Sequence, residues 1–296
     1  MNRREVSSPM VRPGVVLPVG VIPPQAWFLV SAVFHYLGPA FAVLLFPSVG
    51  VLGVAWFRIA TAALVFAPIT RPWALLASID KSERWVLLAM GASLALMNCS
   101  FYLAVARLPI SLVAAIEFVG VIGLALYGMR TRRNRVALGI AVAGIFVLIR
   151  IRWSSDFVGL AWAFANGALF VLYVVLGHRI ARAGNGIQRL GAAMAIAFVA
   201  VFPVGIVQAT RVFPHPKLVL AGIGVGICSS VIPYVCDQLA MARLPRASFA
   251  LMLTVLPACA TIIAAIVLGQ VPTPREVMGI AMVMAAMALH RPAEAA

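Results

Sequence analysis

Ten runs of about twenty mostly apolar residues, separated by short polar links, dominate this sequence, and no soluble domain can accommodate that pattern. They fall near residues 25–46, 50–69, 84–106, 109–128, 135–151, 157–178, 189–208, 217–240, 246–268 and 275–290. A bilayer core roughly 30 Å thick takes about 20 helical residues at 1.5 Å each, so each run matches one crossing. A soluble surface needs roughly 25% charged residues; here 10% are charged and 64% are hydrophobic. Soluble enzymes, disulfide-rich secreted scaffolds and disordered chains are thereby excluded.

The net charge of +15 raises the question of nucleic acid, since basic chains often bind phosphate. Its distribution answers against it: the bases stand in clusters between apolar runs, as in the links of a membrane protein. With the N-terminus inside, sixteen Lys and Arg fall in inner segments and six in outer ones, while Arg58 lies within a run. That bias predicts both termini in the cytoplasm. Residues 1–24 carry four prolines after residue 12, which rules out a continuous apolar helix there. They read as a basic tail, flexible or interfacial, rather than a cleaved signal. Cys99, Cys228, Cys236 and Cys259 sit inside apolar runs without a CxxC pair, and His35, His178, His215 and His290 are scattered. No metal site or cofactor is expected from that arrangement.

Leu-Ala-Val-Ala-Arg-Leu-Pro at 103–109 recurs as Leu-Ala-Met-Ala-Arg-Leu-Pro at 239–245, 136 residues later. Five runs separate the copies, and an odd number of crossings reverses direction in the bilayer. The expected fold is therefore an all-α polytopic membrane protein of ten transmembrane helices, arranged as two inverted five-helix repeats. The repeats are placed at 25–151 and 152–291, with a C-terminal tail at 292–296. Pro109 and Pro245 would begin the fourth and ninth runs, where a missing N–H costs little.

Ionisable residues in the bilayer cost about 2.5 to 3.5 kcal/mol even on the lenient insertion scale, so Arg58, Glu117 and Asp237 stand out. Glu117 lies among the small residues Ala114 and Gly120; it reads as a substrate-amine or proton site, or as a structural ion pair or interhelical hydrogen bond. Arg58, with Thr61 one turn on, is suited to a substrate carboxylate or to Glu117. Asp237 ends a stripe with Ser230 and Tyr234; it reads as part of a cavity wall, or as a hydrated acid near Arg243 at the cytoplasmic end. His35 with Ser31 and Gly38, Asn98 with Tyr102, and Asn166 with Tyr173 form further polar stripes, either lining a pathway or gluing helices. Gly222, Gly224 and Gly226 lack the strand a nucleotide loop requires and read as close helix packing. Nothing resembles a hydrolytic site, and no enzyme activity is expected.

Leu45-Phe46-Pro47-Ser48-Val49-Gly50 leading to Arg58, Met97-Asn98 with Phe101-Tyr102-Leu103, Ala115-Ile116-Glu117-Phe118, and Pro233-Tyr234 through Arg243-Leu244-Pro245 resemble the drug/metabolite transporter superfamily, EamA type. The closer likeness is to its threonine and homoserine exporter branch, over nearly the whole chain after residue 25. The resemblance implies a multi-pass transporter in the bacterial inner membrane that exports small metabolites such as amino acids and is driven by protons or another ion gradient. The chain departs from the family pattern at Leu256 before Pro257 and at Gln270 after Leu268-Gly269, where acids are frequent, and at Val121, where proline is common. Glu117 and Asp237 are the acids that remain. The expected partners are a small solute, the lipid bilayer and protons. Rival readings are an exporter of drugs, nucleosides or other metabolites that stack on Phe101, Tyr102, Trp162 and Tyr173, and a non-transporting membrane scaffold.

Overall fold

The computed structural model describes residues 22–127, 131–150, 156–183, 185–245, 248–249 and 252–289; the N-terminal tail before residue 22, the junction expected at 151/152 and the C-terminal tail at 292–296 lie outside them. Every regular element among the described residues is helical. In chain order they are α1 (Pro24–Val49), α2 (Val51–Thr70), α3 (Pro72–Ser78), α4 (Lys81–Val105), α5 (Ile110–Tyr127), α6 (Arg132–Arg150), α7 (Phe157–Arg182), α8 (Gly186–Thr210) and α9 (Pro216–Gly226). A π-helical turn at Ile227–Val231 joins α9 to α10 (Ile232–Met241). A 3-10 turn at Leu253–Val255 leads into α11 (Leu256–Leu268), and α12 (Pro274–Leu289) follows.

Among the described residues, six rods are long and apolar enough to cross a membrane: α1, α2, α4, α7, α8 and the continuous rod Pro216–Met241. The other expected runs fold as α5, α6, α11 and α12, and residues 246–247 and 250–251 of the ninth run lie outside the described set. Three elements escape the sequence reading: α3, a short helix begun by Pro72, the π turn that interrupts the eighth run, and the 3-10 turn within the ninth.

The surface is apolar and the interior holds the polar groups. Leu64, Ile69, Trp85, Val199, Leu220 and Ile266 are exposed, while Ser31, Arg58, Asn98, Glu117, Asn166, Ser229, Ser230 and Asp237 are buried. A bilayer rewards that inversion, because lipid can cover the first set but cannot hydrogen-bond to the second.

Small residues bring the rods close. A Cβ on Gly38 of α1 would stand 2.4 to 2.7 Å from Ser229 atoms, two of them backbone, so α1 lies directly against the π turn. Gly50 reverses the chain between α1 and α2 as a single residue with φ +83°, a conformation costly for side-chain-bearing residues. Gln208 of α8 closes that corner by accepting from the Gly53 N–H at 2.9 Å. Helix α2 packs along α8, α6 along α12, α4 along α7 and α8, and α1 along α9, α10 and α11.

At one end of the bundle, Arg107 after α4 pairs with Asp156 at 3.0 Å. Asp156 also caps α7, accepting from the Gly159 N–H at 2.8 Å. That cap and then the Arg107 guanidinium hold its carboxyl below the ordinary 3.8. A depressed folded pKa means that the stabilisation is present above 3.8 and is lost as pH falls through the folded value. Asp156→Ala is therefore expected to lower the melting temperature in detergent most at neutral pH, with the gap to wild type closing below about pH 3.8; a gap independent of pH would assign the effect to something other than the carboxylate.

Candidate functional site

The buried polar groups converge where α1, α2, α4, α5, α7 and the π turn meet. Arg58 of α2 is anchored there by neutral partners. Its Nε donates to Ser230 Oγ at 2.9 Å and its Nη2 to the Ser229 carbonyl at 2.7 Å. Its guanidinium carbon stands 5.4 Å from the Tyr102 ring centroid and 6.0 Å from that of Tyr234, within cation–π range.

Local sequence explains the exposed carbonyl. In an uninterrupted α-helix the N–H of residue 233 would bond to Ser229, but Pro233 has no N–H. One residue earlier, the Ile232 N–H reaches five residues back to Ile227, which makes the π turn. Turns of this kind are frequent at functional sites because they free backbone groups. The Ser229 hydroxyl bonds back to the Val225 carbonyl and leaves its own carbonyl to Arg58.

Two acids flank this centre in separate clusters. Glu117 of α5 accepts from Tyr36 Oη of α1 at 3.2 Å. Asn166 of α7 lies against Glu117, beyond normal hydrogen-bonding geometry, and neither polar atom of its amide is bonded. Gly167 permits this approach, since a Cβ there would come within 3.2 Å of the Glu117 Cα. Asp237 of α10 accepts from Ser31 Oγ of α1 at 2.5 Å and from Tyr173 Oη of α7 at 2.9 Å. One carboxylate thus ties three helices.

The ion pairs among the described residues are Arg107–Asp156 and Arg189–Glu83, both away from this centre. The direct Arg58–Glu117 pair considered from sequence is therefore absent, because Ser229 and Ser230 already hold the guanidinium. The alternative of Asp237 as a hydrated acid beside Arg243 is also corrected. Asp237 is 1% exposed, and Arg243 donates to the Ile22 carbonyl at 3.0 Å.

His35, Arg58, Met97, Asn98, Phe101, Glu117 and Asn166 line one cavity of about 10 Å³, roughly the space of one water. Asn98 donates to the Leu94 carbonyl at 2.6 Å and to Tyr234 Oη at 3.3 Å, while its Oδ1 is unbonded. His35 packs edge-on against Tyr36 and Phe170. Tyr173 leans on Tyr234 with centroids 5.5 Å apart. All eight residues singled out from sequence, Arg58, Glu117, Asp237, Asn98, Tyr102, Tyr234, His35 and Tyr173, are buried at this centre. Trp162 is not among them: it is 38% exposed on the outside of α7, which breaks up the aromatic quartet proposed for a stacked ligand. Sequence reasoning missed Tyr36 and the pairing of Ser31 with Asp237, and it missed the Ser229 carbonyl, which the proline four residues on does signal.

Wider hollows lie at the two ends. One of about 400 Å³ is lined by Arg107, Ser111, Gln270 and Glu276, among others. Another of about 370 Å³ is lined by Asn185, Gly186, Gln188 and Gln238, among others. The first adjoins the N-terminal end of α7, through the Arg107–Asp156 pair, and the second its C-terminal end. Twenty-six residues of α7 separate them, about 39 Å of helix.

Comparison with known proteins gives this geometry its family. The EamA-like transporter family model matches residues 157–290. The threonine/homoserine exporter RhtA of Escherichia coli K12 is 31% identical over 277 residues, covering 93% of each chain. The chain belongs to the EamA-like transporter family. The threonine/homoserine exporter RhtA of Salmonella typhimurium LT2 is likewise 31% identical, over 252 residues and 84% of each chain. A crystal structure 16% identical in sequence aligns with a TM-score of 0.64, covering 90% of this chain and 96% of the other, which shows the shared fold. As an EamA-like protein the chain is a multi-pass membrane transporter and not an enzyme.

Asp237→Leu would leave the Tyr173 hydroxyl buried without an acceptor, at about 1 to 3 kcal/mol, and would leave Ser31 Oγ with only its longer bond to the Pro233 carbonyl at 3.3 Å. Asp237→Asn keeps an acceptor. The expected result is a clearly lower melting temperature for the leucine variant and a much smaller loss for the asparagine variant; equal losses would contradict the three-helix tie.

Proposed function

We propose that this EamA-like transporter exports small amino acids across the bacterial inner membrane by alternating access, with a proton exchanged at Glu117. The observation that carries this reading is the lining of the central cavity: one carboxylate, Glu117, one guanidinium, Arg58, and the incompletely bonded amides of Asn98 and Asn166. Such a set complements an ammonium, a carboxylate and a hydroxyl on one small solute. Threonine and homoserine, for which the RhtA relatives are named, carry these three groups.

In the proposed architecture, ten membrane helices form two inverted five-helix repeats. Reciprocal contacts support it. Arg107, at the first Arg-Leu-Pro corner, binds the N-cap of α7, and Arg243, at the second, binds the carbonyl just before α1. Asn98 and Tyr234, which touch, are themselves 136 residues apart, the offset of the duplicated corner. Helices α2 with α8 and α6 with α12 pair as equivalents would across a two-fold axis. The excess of bases in the inner links favours both termini in the cytoplasm.

A cavity of one water's volume cannot hold threonine, so this conformation is occluded and the halves must part for a solute to enter. The end hollows supply the mouths. Gln238, buried with its amide unbonded, lines the hollow at the C-terminal end of α7 and adjoins Asp237, marking a polar route inward. When the solute's ammonium reaches Glu117 it displaces a proton, and reprotonation of Glu117 releases the solute. Such competition for one carboxylate couples the two fluxes without a direct contact between solute and proton.

In proteoliposomes, wild-type protein is expected to carry labelled L-threonine in the direction opposite to the flow of protons down an imposed gradient. Glu117→Gln is expected to lose about tenfold or more of that flux, the weight of one charged hydrogen bond. Undiminished coupled flux in the variant would remove Glu117 from the mechanism, and no flux of any solute in the wild type would favour a scaffold.

A further inference from the structure

A guanidinium has two edges that can each meet an oxygen pair. In Arg58 the edge formed by Nε and Nη2 is occupied by Ser230 Oγ and the Ser229 carbonyl. The edge formed by Nη1 and the second proton of Nη2 makes no hydrogen bond among the described residues; the Tyr102 hydroxyl lies beside the guanidinium but outside hydrogen-bonding geometry. Three features lock that orientation. Pro233 withholds the N–H that would reclaim the Ser229 carbonyl. Gly38 lets α1 press on the Ser229 backbone. The rings of Tyr102 and Tyr234 confine the guanidinium plane. All of these partners are uncharged, so the guanidinium is held in place without a carboxylate in ion-pair contact, and Glu117 faces it across the central cavity.

We propose that Pro233 and Ser230 are positioning residues that hold Arg58 with its free edge presented as the subsite for the substrate's carboxylate. This rests on the reading of the central cavity as the solute site, and it narrows the substrate class to solutes with a free carboxylate. A free guanidinium edge takes a carboxylate as a bidentate pair. An amide of the same solute keeps the ammonium and the hydroxyl but cannot make that pair.

Pro233→Ala restores an N–H that competes for the Ser229 carbonyl, and Ser230→Ala removes the Nε acceptor; both let the guanidinium swing. In counterflow with the reconstituted full chain, the half-saturating concentration of L-threonine is expected to rise about tenfold in either variant, one charged hydrogen bond's worth. The concentration of L-threoninamide that half-inhibits is expected to move less than about twofold, since its binding rests on contacts these variants leave intact. Ser230→Thr, which keeps the hydroxyl, is expected to restore the preference for the acid. Equal shifts for acid and amide, or no shift in both variants, would overturn the proposal, and Ser230→Ala decides it should Pro233→Ala fail to fold. Absence of wild-type threonine counterflow would instead overturn the amino-acid reading. The positioning claim is then decided by thermal stabilisation of the purified protein by L-threonine, L-alanine and L-lactate against their amides. A preference for acids that both variants lose sustains it; a preference they retain, or none in the wild type, overturns it.

Discussion

The Arg58 guanidinium inside an apolar bundle is the constraint around which the other central contacts are arranged. Placing an arginine at mid-membrane costs about 2.5 to 3.5 kcal/mol on the lenient scale. Two hydrogen bonds from its charged head offset about 3 kcal/mol or more, so the site is tolerable without a carboxylate partner. Those bonds exist because Pro233 interrupts the hydrogen-bond ladder of the rod 216–241 and the π turn swings the Ser229 carbonyl to the interior. A backbone defect in one helix is therefore matched to a charge on another.

The neutral anchoring of Arg58 leaves both acids available for other work. Glu117 keeps one tyrosine partner and a share of the cavity, while Asp237 binds α10 to α1 and α7. A carboxylate spent in an ion pair would be poorly placed to exchange a proton or meet an ammonium, because its partner would be left as an uncompensated buried charge. The tyrosines make the separation possible, since each phenol donates to a carboxylate or presents its ring to the cation without altering the net charge.

Much of this was legible in the letters. The apolar runs located every long rod to within a few residues, because bilayer thickness sets a length that local sequence must meet. The intramembrane Arg58, Glu117 and Asp237 pointed to the centre, because a charge facing lipid is so costly that its burial follows almost from its presence. Partnerships were not legible. Whether Arg58 meets Glu117 or Ser229 depends on helix rotations of a few tens of degrees, which apolar faces on all sides of a membrane helix do not record. The π turn was hidden for a related reason: Gly226 through Pro233 read as one continuous apolar helix, and only the register of the hydrogen bonds, shifted by a residue, brings Ser229 and Ser230 inward together. Trp162 misled because aromaticity marks ligand stacking and lipid contact equally well.

The hydrogen bonds that hold Arg58 are the most directly measurable feature of this site. A structure of the protein in lipid nanodiscs, at a resolution that places side chains, is expected to find the guanidinium on the Ser229 carbonyl and Ser230 hydroxyl between the rings of Tyr102 and Tyr234, with no carboxylate in ion-pair contact. An Arg58 paired directly with Glu117 or Asp237 in the solute-free protein, or a continuous α-helical ladder through residues 227–231, would contradict it.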